Sequence, residues 1–335
     1  MLLKRLILFI SIFFLFIACS KESTAPTAIN PPPPPTPPIT NATLWEKYKF
    51  TKPANASEII NSSTNQFKSY VATNRSPNQV IKIIAQTGVD PMLINWIDKG
   101  ANFVAKAFTY PTTSRQFVDV IGIDRTWFEA AYKTEGFSQM EINDRLGGWD
   151  NGAPAFGGSY SNSWNYSVIL KNNALVNNKI GLSHTPGHEF FHAIQERFAK
   201  ATPGPNGEKI PNWFWEGPAM FIGLQTSSIL GFSDYAVDGQ KTVVTRYSTG
   251  SQEKRAQDLK DVKANNSNVD PYAIGEVATE LLIAMIGVEK FLNIYAELGK
   301  GLSFDLAFKN ATDIELVDFY SMFEEVRAVL NIPKA

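Results

Sequence analysis

Apolar residues recur at intervals of three and four along most of the chain, which is the spacing of one face of an α-helix. The spacing is clear over residues 91–108 and again after Asp270, and it extends over residues 79–85. Residues 117–123 and 165–171 have the composition of strands instead. The pattern therefore predicts an α+β fold, with a small mixed sheet in the first half of the folded chain and mostly helices in the second.

The first 19 residues have the pattern of an export signal. Lys4 and Arg5 precede an apolar run over residues 6–18, which is shorter than the roughly 20 residues of a membrane span. The run ends in a small residue followed by Cys19, the only cysteine of the chain. This junction resembles a bacterial lipoprotein signal, which implies cleavage before Cys19 and lipidation of its sulfur. The alternative is an ordinary secretory peptide in which Cys19 has no role.

Residues 20–43 form a predicted tether, because residues 31–38 contain seven prolines in eight positions. Such a run is an extended, semi-rigid spacer that cannot build a core. Two lobes are predicted after it, an N-terminal α/β lobe at residues 44–180 and a helical lobe at residues 181–335. A spacer behind a lipid anchor fits a protein of the bacterial cell envelope, and by analogy we expect the outer membrane.

Residues 144–165 change in character, being rich in glycine, asparagine and serine with interspersed aromatic side chains. They predict a loop or an irregular hairpin. The aromatic residues either contact a ligand or pin a surface loop to the core. They are Trp149, Phe156, Tyr160 and Trp164.

All three histidines of the chain lie within nine residues, at positions 184, 188 and 192. His188 and His192 are four residues apart, so a helix would place both imidazoles on one face, where they can bind one metal ion. Glu189, beside the first of them, can then act as general base on a water activated by the metal. Thr185 and Pro186 suit the cap and the first position of this helix. The alternative is a core helix that carries two histidines by chance.

A catalytic zinc ion takes three protein ligands, and the third must here be a carboxylate. Glu196 lies one helical turn beyond His192, too far along the axis for one ion to join three successive turns. Glu216 is the better candidate, because a carboxylate among Trp213, Phe214 and Trp215 is costly to bury unless it binds a cation. The alternative is a glutamate stabilised by a helix N-terminus.

Residues 188–192, HEFFH, followed by residues 213–219, WFWEGPA, resemble the gluzincin metallopeptidases, nearest to the aminopeptidase-N-like form W-x-x-E-G-x-A. The resemblance covers the second half of the chain. It implies a zincin-like fold with Zn²⁺ in a cleft between the two lobes, held by His188, His192 and Glu216, with Glu189 as the base. It implies a peptide or protein substrate, and strand pairing of that substrate along an exposed edge at residues 165–171.

Two family features are absent. Residues 152–156 stand where aminopeptidase-N-like enzymes have an amine-binding G-x-M-E-N segment, and they contain no carboxylate. Met220 stands where thermolysin-like enzymes have an aspartate, and no histidine follows it. Tyr272 resembles the tyrosine of a Tyr-x-x-Gly segment in this group of enzymes, which implies a hydrogen bond to the developing oxyanion. The alternative is a tyrosine that only packs in the first turn of a helix.

Charge is nearly balanced, with 31 basic and 32 acidic residues, and no basic stripe suggests nucleic acid. With one cysteine, the exported domain has no disulfides. Two other functions fit the sequence. One is a surface lipoprotein that binds peptide or glycan without cutting it, and the other is a protein with purely structural zinc, which usually needs four protein ligands.

Overall fold

The structure is a computed structural model that describes residues 41–74, 81–108, 116–150, 155–160, 163–169, 179–203, 207–263 and 270–335. All of these residues belong to one compact unit, Ile39–Ala335. The predicted signal segment, Cys19 and the proline run lie outside the described residues. Among the described residues, no helix combines the length and the apolar character that a membrane span requires.

The described residues form an α+β fold of α-helices and one four-stranded sheet. The helices are α1 Asn41–Lys47, α2 Ala56–Thr73, α3 Pro91–Ala107, α4 Arg125–Thr134, α5 Gln139–Asp150, α6 Lys179–Ala199, α7 Asn212–Ile229, α8 Gln240–Thr249, α9 Gln252–Ala256, α10 Pro271–Leu298, α11 Phe304–Thr312 and α12 Leu316–Val326. The strands are β1 Lys82–Ala85, β2 Gln116–Gly122, β3 Ala155–Tyr160 and β4 Ser163–Ile169. The predicted mixed α+β class is thus confirmed.

The sheet has the order β1-β2-β4-β3, in which the first three strands are parallel and β3 is antiparallel to β4. The predicted strands at residues 117–123 and 165–171 correspond to β2 and β4. The expectation of an open edge at β4 is wrong, because β2 pairs with one side of this strand and β3 with the other. The edge next to α6 is β3, which contacts that helix.

Three local predictions are corrected by the structure. Residues 82–85, KIIA, form β1 rather than part of a helix. So short a segment is ambiguous by the spacing of its apolar residues, and its pairing with β2 makes it a strand. Residues 144–150 belong to helix α5. Helix α6 begins at Lys179, about two turns before the predicted cap at Thr185, and Pro186 lies inside it. The ring of Pro186 fixes φ near the helical value, so the helix can continue through it. Because proline has no N–H group, α6 loses one backbone hydrogen bond at this position.

The main core is helical and is centred on α7 and α10. Helix α7 is buried on nearly every side, and α10 is buried from Ala273 to Ile283. Helix α10 contains one non-helical residue, Gly287, at φ 81°. Helix α6 packs on α7, while the N-terminal helices α2 and α3 pack on α10 and α6. The HEFFH segment of residues 188–192 therefore lies in a framework built from both ends of the folded chain.

Two buried glutamates lie one turn apart on α10 inside this core. The hydroxyl of Tyr235 contacts carboxylate oxygens of both Glu276 and Glu280, the latter at 2.8 Å. Gln240 Nε2 donates to Glu280 Oε1 at 3.1 Å. Burial raises the pKa of Glu276 to about 7, and burial with the neighbouring charge of Glu276 raises the pKa of Glu280 well above its usual value. At least one of the two carboxyl groups is therefore protonated near neutral pH.

We expect this pair to make the protein less stable as the pH rises. The unfolded chain releases these protons near pH 4.5, whereas the folded chain keeps the proton of Glu276 to about pH 7, so alkali favours unfolding. The shift of Glu276 alone corresponds to a loss of about 3 kcal/mol in the free energy of unfolding. Urea unfolding from pH 5 to pH 8.5 should show this fall in wild type and a smaller one in Glu276→Gln. The exposed Glu253→Gln variant is the control, and equal slopes in all three proteins would contradict the prediction.

Candidate metal centre

Helix α6 presents His188 and His192 on one face, as their four-residue spacing predicts. Both side chains are buried, with residue exposures of 5% and 7%. Their ring planes are nearly perpendicular, and the two Nε2 atoms are 3.1 Å apart. Two imidazole nitrogens that converge at this distance can bind one cation together.

Helix α7 supplies the third group. Glu216 lies in its second turn with an exposure of 8%, and its Oε2 atom is 3.4 Å from Nε2 of His188 and 3.4 Å from Nε2 of His192. Among the described residues, these three form a group of side chains that could hold a metal ion. The structure thus brings together the three residues that the sequence analysis selected as metal ligands.

The donor atoms fit a small divalent cation. Oε2 of Glu216 is buried and has no hydrogen-bond partner among the described residues. The three distances put one point about 1.9 Å from all three donor atoms, close to the 2.0–2.1 Å of a Zn–N bond. A cation at this point would be bound by Oε2 of Glu216 and by the two facing Nε2 atoms of His188 and His192.

Gln195, which the sequence analysis missed, fixes the orientation of His192. Its Oε1 lies 2.7 Å from Nδ1 of His192, so the imidazole donates from Nδ1 and its other nitrogen, Nε2, faces the centre of the site. The Nε2 atom of Gln195 donates to the carbonyl of Trp215 at 2.8 Å and to the hydroxyl of Tyr295 at 2.9 Å. Gln195 therefore joins the histidine helix α6 to the helices that carry Glu216 and Tyr295.

The charges of the site already favour a cation. Burial works to raise the pKa of the Glu216 carboxyl, but the neighbouring imidazoles of His192 and His188 outweigh burial and hold that pKa well below its usual value. Burial works to lower the pKa of His192, but the carboxylates of Glu216 and Glu189 outweigh it and raise the pKa to about 8. Glu216 is thus ionised, and its negative charge favours a positive charge between it and the two imidazoles.

Glu189 and Tyr272 lie beside this group. The Tyr272 ring stacks on His188, with ring centres 5.6 Å apart. Burial, followed by the charges of Glu216 and Glu189, raises the pKa of Tyr272 well above its usual value, so the phenol keeps its proton. On the other histidine, the Trp215 ring stacks on His192 with ring centres 5.0 Å apart. The predicted catalytic residues and the predicted ligands therefore meet at one place.

Glycines allow the three helices of the site to approach closely. A Cβ atom on Gly217 would lie 2.1 Å from the carbonyl carbon of Gly275, where α7 crosses α10. A Cβ atom on Gly223 would lie 2.6 Å from the carbonyl oxygen of His184, where α7 crosses α6. These contacts bring Glu216 within reach of both His188 on one side and Tyr272 on the other.

Other residues considered from the sequence lie outside the group. His184 is one turn before His188 and is not one of the three grouped side chains. Glu196 is half-buried on α6, and Met220 is buried in the core. The aromatic side chains of residues 149–164 lie outside the described part of the structure.

Comparisons with known proteins identify no relative of this chain. No family model matches the chain, and no curated protein and no solved structure matches it either. The resemblance to gluzincins therefore rests on the residues of the two sequence motifs alone.

Proposed function

We propose that this protein is a zinc-dependent peptidase, which hydrolyses peptide bonds in a peptide or protein substrate. The observation that carries the proposal is the convergence of Nε2 of His188, Nε2 of His192 and Oε2 of Glu216, at 3.1 and 3.4 Å, beside the carboxylate-bearing Glu189. Two imidazoles and one carboxylate form a ligand set typical of catalytic zinc, which keeps a fourth position open. A structural zinc ion would usually need a fourth protein ligand, and the described residues group only three.

Zinc, when bound, supplies Lewis-acid chemistry, because it polarises a carbonyl and lowers the pKa of water. The residues of the chain supply the proton transfer. Glu189 follows His188 directly and is the carboxylate best placed to accept a proton from the attacking water and to pass it to the leaving amine. Because Glu189 is not one of the three grouped ligands, its carboxylate stays available for this step.

Tyr272 is the proposed donor to the oxyanion of the tetrahedral intermediate. Its ring stacks on His188 and its phenol keeps its proton, so the O–H group can donate a hydrogen bond at the reacting carbonyl. Trp215 stacks on His192 and, with Gln195, holds that imidazole in one orientation. The two histidines are therefore restrained before substrate binds, as catalysis by a preorganised site requires.

We also propose that a lipid on Cys19 anchors the protein in the bacterial cell envelope, with the proline-rich residues 31–38 as a spacer. The support for this proposal is the sequence alone. Mass spectrometry of the chain purified from a bacterial host tests it, since cleavage before Cys19 and addition of lipid change the mass of the N-terminal peptide.

The experiment that tests the peptidase is elemental analysis of the full-length chain purified without chelator, followed by a screen with a mixed library of quenched fluorescent peptides. We expect about one zinc ion per chain in wild type, its loss in Glu216→Ala and its retention in the matched control Glu196→Ala. The best-cleaved library peptide becomes the reporter peptide for later assays. Wild type without zinc, or with zinc but without cleavage, would favour a binding protein. Zinc retained in Glu216→Ala would show that another residue is the third ligand.

A further inference from the structure

Arg246, in the last turn of α8, lies against the tyrosine of the candidate site. Its guanidinium carbon is 4.6 Å from the centre of the Tyr272 ring, a cation–π distance. The same ring stacks on His188 with ring centres 5.6 Å apart. The phenol ring is therefore packed between an arginine and a residue of the metal-binding group.

Asp270 holds this arginine in a fixed orientation. Nε of Arg246 donates to Oδ2 of Asp270 at 2.9 Å, and an Nη atom donates to Oδ1 at 3.3 Å. This two-point contact between a planar guanidinium and a carboxylate fixes the plane of the arginine, which a lysine could not reproduce. The ion pair is half-exposed, with side-chain exposures of 42% and 26%, so its main effect is on geometry and its direct contribution to stability is small.

Asp270 has a second role, because it caps helix α10. Its Oδ1 accepts hydrogen bonds from the backbone N–H of Tyr272 at 2.9 Å and of Ala273 at 3.4 Å. One carboxylate therefore fixes both the backbone that carries Tyr272 and the guanidinium that covers its ring.

We infer that Arg246 is a positioning residue, which, together with Asp270, holds the phenol of Tyr272 at the metal centre. The role of that phenol in peptide hydrolysis rests on the proposed function, whereas its position can be observed without any activity. In the described part of the chain, the side chain of Arg246 contacts Asp270 and Tyr272, and it is not one of the three grouped side chains. Its removal should therefore leave the zinc content unchanged and disturb only the placement of Tyr272.

The test compares Arg246→Gln with Arg246→Lys, Asp270→Asn and Lys241→Gln in the full-length, zinc-loaded chain. Asparagine also caps helices, so Asp270→Asn weakens the arginine contact and keeps the cap. Lys241 is exposed on α8 and serves as the control for lost positive charge. Each protein is labelled with 3-fluorotyrosine, and the Tyr272 resonance is assigned by its absence in Tyr272→Phe. The two readouts are this fluorine resonance and the kinetics of the reporter peptide.

We expect the Tyr272 resonance to shift or broaden in Arg246→Gln, with partial recovery in Arg246→Lys, a smaller effect in Asp270→Asn and none in Lys241→Gln. We expect kcat to fall about tenfold in Arg246→Gln with KM and zinc content unchanged. An unchanged resonance would overturn the inference. A rise in KM at unchanged kcat would also overturn it, because Arg246 would then bind substrate. If wild type cleaves no peptide, the peptidase proposal fails and the resonance alone decides the positioning role.

Discussion

Glu189→Gln should bind zinc as wild type does and cleave the reporter peptide about 1,000-fold more slowly, as expected for the loss of a general base. Glutamine has nearly the same shape as glutamate but cannot accept the proton of the attacking water. The metal-binding group His188, His192 and Glu216 does not include Glu189, so zinc should remain. Elemental analysis and kcat/KM on the same preparations measure the two effects.

The matched control is Glu196→Gln, on the same helix and outside the metal-binding group. It removes the same charge one turn beyond His192 and should keep both zinc and activity. Activity of Glu189→Gln within tenfold of wild type would reject Glu189 as the base. Loss of zinc from Glu189→Gln would show instead that this carboxylate takes part in metal binding.

The candidate metal-binding group can be predicted from the sequence because its signals are local. The spacing of His188 and His192 needs only an α-helix, and a helix is present even though it begins at Lys179 rather than at the predicted cap. Glu216 stood out as a charge in an aromatic, apolar stretch, which is costly without a partner. Both signals can be recognised within a few residues.

The surroundings of the site could not be derived in this way. Gln195 carries no charge, and its partners Trp215 and Tyr295 lie 20 and 100 residues away along the chain. The three-residue step from His192 to Gln195 on a helix was the one available signal. Arg246 is distant from Tyr272 along the chain, so their contact can be seen only in three dimensions.

The fold shows the same division between local and long-range signals. The predicted helix after Asp270 is present, because a cap, a proline and a long apolar periodicity agree. The short segment at residues 82–85 is predicted as part of a helix but forms a strand, because four residues do not distinguish the two by spacing. Its partner β2 lies more than 30 residues further along the chain. Parallel pairing of this kind leaves no mark in the local sequence.

Gly217→Ala should damage both stability and the metal centre, although alanine is usually the better helix residue. A Cβ atom at this position would lie 2.1 Å from the carbonyl carbon and 2.3 Å from the carbonyl oxygen of Gly275, so α7 and α10 must separate. We expect a loss of about 3 kcal/mol in the free energy of unfolding, the upper range for overpacking a core. Because Glu216 is the adjacent residue, its distance from the two histidines should change and the affinity for zinc should fall.

Urea unfolding and zinc titration measure these two effects. Gly275→Ala should behave alike, since its Cβ atom would lie 2.3 Å from the carbonyl oxygen of Trp213. The control is Gly147→Ala on α5, where an added Cβ atom meets no neighbour within 4 Å and alanine should be neutral or stabilising. Wild-type stability and zinc affinity in Gly217→Ala would mean that α7 and α10 are not in such close contact.

The packing of α2 on α10 has a consequence for the order of folding. Gln66 on α2 donates to the carbonyl of Ala284 across a sequence separation of 218 residues, and Trp45 on α1 donates to Glu325 across 280 residues. Contacts between residues so far apart in the sequence slow folding, because a long loop must close before the contact forms. During synthesis, the apolar face of α2 emerges long before α10 exists to cover it. The helical core around the metal centre is therefore completed only when the last quarter of the chain has been made.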